Sequence, residues 1–186
     1  ECCDQNTNLG IILLLAPLCA IPAETTIADG IEDVLAALTH EDAAAVYEAI
    51  RLANPRGLGA SDEQDVASEQ PSGALREVMS LAADRDSIAA QYESGFALVL
   101  KTGLPTLTRF EHFDRDWEHA VVRLQLDLMS SQPDTDILRK CGRIDSMESS
   151  RQARAVLCAQ WPTSAAGRRR FKDFDFWLRA RKSQRN

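Results

Sequence analysis

Apolar side chains recur every three or four residues through most of this 186-residue chain. Ile31, Leu35 and Leu38 show the spacing, which places side chains on one face of an α-helix. No alternation of apolar and polar residues typical of a strand is sustained anywhere in the sequence. We therefore expect an all-α fold, a single-domain multi-helix bundle of about eight to ten helices over residues 1–186.

Capping and proline signals mark the ends of the expected helices. Thr39 followed by Asp42 resembles a capping box, which predicts a helix start. That helix is expected to stop at Asn54, because the residue before a proline disfavours the α region. Residues 54–71 are rich in Gly, Pro, Ser and acidic residues without periodicity, so we expect one long loop there, and long loops in compact domains often carry function.

The apolar run LGIILLLAPLCAIPA (residues 9–23) resembles the core of a signal peptide. The residues before it are acidic and polar, whereas an export signal begins with basic residues. Pro17 and Pro22 interrupt it, and it is shorter than the roughly 20 residues that span a bilayer. We expect a buried core helix instead. Because the chain starts at Glu1 and leads directly into this helix, we also expect its start to be a truncation.

The charge distribution is uneven. The net charge is −7, but residues 1–138 hold 8 Lys and Arg against 24 Asp and Glu, and residues 139–186 hold 13 against 4. The overall acidity argues against a general nucleic-acid binder. The basic C-terminal part either contacts phosphate groups or forms the solvated face of a terminal helix.

The five cysteines are an odd number without a Cys-x-x-Cys pair. A disulfide framework and a structural zinc site are therefore not indicated, and a cytoplasmic, reducing location fits best. The three histidines are scattered and show no metal-binding spacing.

Pairs of aspartates stand at the expected ends of helices. Asp84 and Asp86 lie at a helix junction, and Asp134 and Asp136 follow the break at Pro133. Each pair fits Mg²⁺ bound together with a nucleotide phosphate, and each fits equally well as helix caps. From the residues alone, both interpretations stay open. Phosphate-loop, dinucleotide and hydrolase motifs are absent from the sequence.

Four stretches resemble one family when they are taken together and in order. They are NTNLG (residues 6–10), EAIRLANPRGLG (48–59), EVMSLAADRDSIAAQY (77–92) and LDLMSSQPDTDILRK (126–140). The chain is similar to the triphosphoribosyl-dephospho-CoA synthases, in the branch with a Thr-Asn-Leu-Gly motif. That family is all-helical, which agrees with the expectation from periodicity.

The resemblance implies an enzyme that moves the triphosphoribosyl group of ATP to the 2′-hydroxyl of 3′-dephospho-CoA and releases adenine. The product is a prosthetic-group precursor. ATP, 3′-dephospho-CoA and Mg²⁺ are the implied ligands, with no nucleic acid and no membrane as partners. Breaking a ribose–base bond builds oxocarbenium character, so carboxylates are needed as acid, base and stabilising charge.

The resemblance also suggests roles for single residues. Asp86 and Asp134 are the candidate catalytic carboxylates, and Asp84 and Asp136 are candidate metal or ribose partners. The candidate substrate-binding residues are Asn6 and Thr7 for a phosphate and Arg85 and Arg139 as cations. Two alternatives stay open: Asn6 and Thr7 as an ordinary helix cap, and the arginines as local ion pairs with Asp86 or Asp136.

The chain departs from the family pattern at several points. Other members resemble Asn-Thr-His-Lys-Gly where this sequence has Asn8 and Leu9, and many have Asn where this sequence has Asp136. Motifs expected upstream and downstream are missing, so we expect a fragment of the family domain. The altered first motif supports two alternatives: a non-catalytic helical nucleotide-binding or interaction module, and a transferase with a different acceptor.

Overall fold

The computed structural model describes residues 8–53, 70–109 and 113–180, with side chains from residue 116 onward in the last range. These residues form ten α-helices and one π-helical turn, Val99–Gly103, and contain no strand, so the expected all-α class is confirmed. The α-helices are α1 (Leu9–Cys19), α2 (Ile27–Ala36), α3 (His40–Ala53), α4 (Leu75–Ser80), α5 (Ser87–Ser94), α6 (Leu104–Thr108), α7 (Phe113–Ser131), α8 (Thr135–Cys141), α9 (Arg143–Cys158) and α10 (Ala165–Arg179).

The chain divides into two compact units, Glu1–Leu100 and Lys101–Asn186. Each has its own hydrophobic core. In the first unit, the buried side chains come mainly from α2, α3 and α5, with Phe96 fully buried. In the second unit, α9 packs against α7, α8 and α10, and its Ala153 and Val156 lie at the centre together with Trp161 and Phe174.

Side chains at helix starts satisfy the backbone N–H groups that a helix leaves unpaired. The predicted capping box is confirmed: Thr39 N donates to Asp42 Oδ2 at 2.7 Å, and Asp42 N donates to Thr39 Oγ1 at 3.3 Å. The hydroxyl of Thr26 accepts from the N–H of Asp29 at the start of α2. The sequence therefore sets the first residue of these helices by short local contacts.

Helix α1 corrects one expectation. The apolar run is helical, but it is not a buried core helix, since the side chains of Ile11, Ile12 and Leu15 are 51–60% exposed and only Pro17 is buried. Leu14 lies on the covered side against the core of the first unit. No helix in the described part of the chain is long and apolar enough to cross a membrane.

Tyr92 supplies a hydrogen-bond donor that the backbone of α1 lacks. A proline has no N–H, so Pro17 cannot donate to the carbonyl oxygen of Leu13 one turn earlier. The hydroxyl of Tyr92 on α5 donates to that oxygen at 2.6 Å. Tyr92 is buried, and burial raises its pKa to about 12. A side chain from α5 thus satisfies the acceptor that the proline leaves open.

The coupling between Tyr92 and Pro17 is measurable with a double-mutant cycle. We expect Tyr92→Phe to lower the free energy of unfolding by about 1–3 kcal/mol, because the Leu13 carbonyl loses its donor. In a Pro17→Ala background the helix supplies its own N–H, so the same change should cost less. Urea unfolding of the four proteins measures both values. Equal costs in the two backgrounds would contradict the explanation.

The raised pKa of Tyr92 predicts a loss of stability at high pH. The folded state holds the phenol proton more tightly than the unfolded chain, so the contribution is complete below about pH 10 and falls as the pH rises toward 12. We expect the free energy of unfolding to fall more steeply over this interval in the wild type than in Tyr92→Phe. Urea titrations at a series of pH values compare the two slopes, and parallel slopes would refute the prediction.

Candidate active site

The first aspartate pair lies in the turn between α4 and α5. Asp86 is the N-cap of α5, and its Oδ1 accepts from the N–H groups of Ile88 at 2.8 Å and Ala89 at 3.1 Å. Its side chain is partly buried. The capping bonds use one carboxylate oxygen, so the backbone fixes the direction of the other.

The start of α1 lies against the start of α5. A Cβ atom added to Gly10 would come within 2.8 Å of Ile88 Cδ1, so a glycine allows this approach without moving Ile88. Gly10 ends the first family-like motif, and Ile88 directly follows the Asp86 turn. The structure therefore brings these two motifs together in the first unit. Asn6 and Thr7 of the same motif lie outside the described residues.

Asp84 and Arg85 occupy the exposed side of the α4–α5 turn. The two side chains are 82% and 56% exposed, and Arg85 Nη1 is 3.8 Å from Asp84 Oδ1. Arg85 also donates to the carbonyl oxygen of Leu81 at 3.1 Å. Arg85 thus forms an ion pair with Asp84, and a pair this exposed contributes at most about 1 kcal/mol.

The second aspartate pair repeats the capping geometry in the second unit. Asp134 is the N-cap of α8, and its Oδ1 accepts from the N–H groups of Asp136 at 2.8 Å and Ile137 at 2.9 Å. Asp134 is partly buried, like Asp86. Both candidate catalytic carboxylates are therefore helix caps, which is one of the two interpretations that the sequence left open.

Asp136 is held by two cations one turn further along α8. Its Oδ1 contacts Arg139 Nη2, and its Oδ2 lies 2.6 Å from Lys140 Nζ. The arrangement places Arg139 beside Asp136. The alternative of a local ion pair is what the structure shows for Arg139.

One face of α9 holds the backbone of the turn that carries Asp134. Ser146, Ser150 and Arg154 are spaced by four residues and share that face. They donate at 2.9, 3.2 and 2.7 Å to the carbonyl oxygens of Asp134, Gln132 and Ser130. Sequence reasoning missed this contact, although the four-residue spacing of polar side chains in α9 was visible.

A family model matches the whole chain, residues 1–186, and is described as CitG: ATP:dephospho-CoA triphosphoribosyl transferase. The chain belongs to this family.

Curated relatives match over shorter segments. A probable 2-(5″-triphosphoribosyl)-3′-dephosphocoenzyme-A synthase of Pseudomonas paraeruginosa is 36% identical over 81 residues, which is 44% of this chain and 28% of the relative. One of Pseudomonas fluorescens is 35% identical over 86 residues, 46% of this chain and 30% of the relative. The aligned segments thus span less than a third of these relatives.

A solved structure extends the similarity to the fold. A crystal structure from Archaeoglobus fulgidus, described as a proposed triphosphoribosyl-dephospho-CoA synthase, superimposes with a TM-score of 0.67 and 26% identity. The match covers 91% of this chain and 71% of that one. The helical arrangement of this chain is therefore similar to that of a solved protein with the same family description.

The described part of this CitG-family chain contains no preassembled cluster of metal-binding side chains. No three His, Cys, Asp or Glu side chains there come together as a metal-binding group. Mg²⁺ usually binds to one or two carboxylates plus the phosphates of a substrate, and such a site has no need of a larger cluster. The expected Mg²⁺ stays a prediction.

The contact between α9 and the Asp134 turn predicts an effect on stability. Ser146 is fully buried, so we expect Ser146→Ala to lower the free energy of unfolding by about 1–3 kcal/mol as the Asp134 carbonyl loses its donor. Ser131→Ala is a matched control, because the exposed Ser131 hydroxyl donates to the Leu128 carbonyl of its own helix. That control should change stability by less than about 0.5 kcal/mol. Chemical denaturation compares the two, and equal losses would contradict the role of Ser146.

Proposed function

We propose that this protein transfers the triphosphoribosyl group of ATP to the 2′-hydroxyl of 3′-dephospho-CoA and releases adenine. The observation that carries the proposal is the family match over all 186 residues. The similar descriptions of the curated relatives and of the solved structure support it. We further propose that it acts in the cytoplasm.

The reaction needs one group that gives a proton to the leaving base and one group that takes a proton from the acceptor hydroxyl. The bond between ribose C1′ and adenine N9 breaks, and its electron pair leaves with the base, which takes up a proton from an acid. A new bond forms between C1′ and the acceptor oxygen, whose hydroxyl proton passes to a base. The triphosphate stays on the sugar. A nearby carboxylate stabilises the positive charge that develops on the ribose.

We propose Asp86 and Asp134 as the carboxylates that serve these steps. In each aspartate, two backbone N–H groups donate to Oδ1. These local hydrogen bonds fix the direction in which Oδ2 points. A preorganised carboxylate loses little conformational freedom when substrate binds. Each also lies at a helix start, where the helix dipole favours a negative charge on the carboxylate.

We propose that the remaining candidates bind the charged parts of the substrates. Arg85 and Arg139 would contact phosphate oxygens, together with Asn6 and Thr7 ahead of α1. The exposed Asp84 fits a single carboxylate ligand for Mg²⁺, which supplies charge neutralisation of the triphosphate. Asp136 fits that role poorly, because Arg139 and Lys140 already neutralise its charge. We infer that Asp136 orients Arg139 instead.

The direct test is adenine release from ATP in the presence of Mg²⁺ and 3′-dephospho-CoA, followed by chromatography. We expect adenine only when the acceptor is present. Slow adenine release without acceptor would indicate a transferase of different acceptor specificity. A folded protein that binds ATP and leaves it intact would indicate a non-catalytic nucleotide-binding module.

Asp86→Asn and Asp134→Asn separate chemistry from capping. Asparagine caps a helix as well as aspartate does, so we expect the free energy of unfolding to change by less than about 0.5 kcal/mol. Removing an acid–base carboxylate should lower the rate of adenine release by about 10²- to 10⁴-fold. The same purified variants supply both measurements.

A cap deletion away from these turns provides the control. Thr26 caps α2 through the N–H of Asp29, so Thr26→Ala should lower stability by about 1 kcal/mol and leave adenine release unchanged. Unchanged turnover in Asp86→Asn or Asp134→Asn would remove that carboxylate from the mechanism.

A further inference from the structure

The segment that joins α7 to α8 lies along one face of α9. Gln132 precedes a proline, which favours an extended backbone, and Asp134 is extended with φ −68° and ψ 121°. Two residues of extended chain rise about 6–7 Å, and four residues of helix rise about 6 Å. The carbonyl oxygens of Gln132 and Asp134 therefore match the spacing of Ser150 and Ser146, which donate to them at 3.2 and 2.9 Å.

Two sets of hydrogen bonds act on Asp134, and they fix different things. The N–H groups of Asp136 and Ile137 donate to its Oδ1, and because both belong to α8, they set the direction of the carboxylate relative to that helix. The hydroxyl of Ser146 donates to the main-chain carbonyl oxygen of Asp134. This second contact sets where the start of α8 lies relative to α9.

The donor of that contact is itself held firmly. Ser146 is fully buried, so solvent water does not compete for its hydroxyl. Its N–H donates to the carbonyl oxygen of Gly142 at 3.2 Å, and its own carbonyl oxygen accepts from the hydroxyl of Ser149 at 2.7 Å. It also belongs to the helix that packs against α7, α8 and α10. Ser146 thus ties Asp134 to the central helix of the second unit.

Helix stability alone does not call for a serine at this position. Alanine is a better helix former than serine in a helix interior, and it brings no polar group into a buried site. The hydroxyl of Ser146 is useful where it has a partner, and that partner is the residue whose carboxylate is a candidate for proton transfer.

We propose that Ser146 is a positioning residue that holds the Asp134 carboxylate in place for the reaction. The inference rests on the proposed function, in which Asp134 gives or takes a proton. Proton transfer needs donor and acceptor atoms about 2.6–3.2 Å apart, and a displacement of about 1 Å lowers a rate by about 10²-fold. Without the Ser146 hydroxyl, the start of α8 is free to move relative to α9, and the two cap bonds move with it.

A double-mutant cycle in the rate of adenine release tests the proposal. We expect Ser146→Ala to lower kcat about tenfold or more, with KM for ATP and for 3′-dephospho-CoA within about threefold of wild type. In an Asp134→Asn background the same change should lower the residual rate less than about twofold, because no reactive carboxylate is left to displace. All rates are measured at a temperature at which circular dichroism shows each variant to be folded.

Thr26→Ala is the control for a general loss of stability. It deletes a helix cap in the first unit, and its kcat should stay within about twofold of wild type. A loss of kcat in Thr26→Ala equal to that in Ser146→Ala would overturn the proposal. Unchanged kcat in Ser146→Ala, or equal losses in the two Asp134 backgrounds, would also overturn it.

Ser150 provides a second variant if Ser146→Ala does not fold. Ser150 is only half-buried, and its hydroxyl donates to the next carbonyl oxygen of the same segment. We expect Ser150→Ala to lower kcat about threefold in the wild-type background and to have no effect in Asp134→Asn. Ser150→Thr keeps the hydroxyl and should restore kcat to within about twofold. A threonine variant as slow as the alanine variant would contradict a role for the hydrogen bond.

Crystal structures of wild type and Ser146→Ala supply a measurement that does not need turnover. With α9 superimposed, we expect the Asp134 carboxylate to move by more than about 0.5 Å, the tolerance of a preorganised site. A wild-type protein that releases no adenine would refute the proposed function, and the displacement would still decide whether Ser146 positions Asp134. Turnover by wild type without displacement or loss of kcat in Ser146→Ala would uphold the proposed function alone.

Discussion

Backbone N–H groups at helix starts are the constraint on which this structure depends most. A chain built from short helices has many such ends, and each one needs an acceptor. Threonine and aspartate side chains supply acceptors at the starts of α2, α3, α5 and α8. Because Asp86 and Asp134 are among them, the same contacts that define two helices also hold the two candidate catalytic groups.

Contacts between residues near each other in sequence were predictable, and contacts between distant ones were not. The Thr39–Asp42 cap is local, so its residue types and spacing were sufficient to predict it. The helical class followed from periodicity in the same way. The exposed face of α1 was not predicted, because an evenly apolar helix carries no information on which of its sides is covered.

The polar contacts in the interior of the second unit were not predictable from the sequence either. Ser146 and Ser149 are fully buried, although serine is usually a surface residue. Their hydroxyl groups donate to carbonyl oxygens, which offsets the cost of burial. Trp161 packs edge-on against His119, more than 40 residues earlier, and no spacing rule links the two positions. The tertiary packing of α7 against α9 creates both features.

Capping and catalysis make different demands on the same aspartate. A cap requires one oxygen that accepts N–H groups, and asparagine or serine would meet that need. Acid–base chemistry on a ribose requires a carboxylate that can hold or release a proton. At Asp86 and Asp134 the N–H groups engage Oδ1, so the two demands fall on different oxygen atoms of one side chain. In this arrangement Oδ1 serves stability and Oδ2 is left for the proposed reactive role, so a stability measurement by itself does not distinguish a cap from a catalytic group.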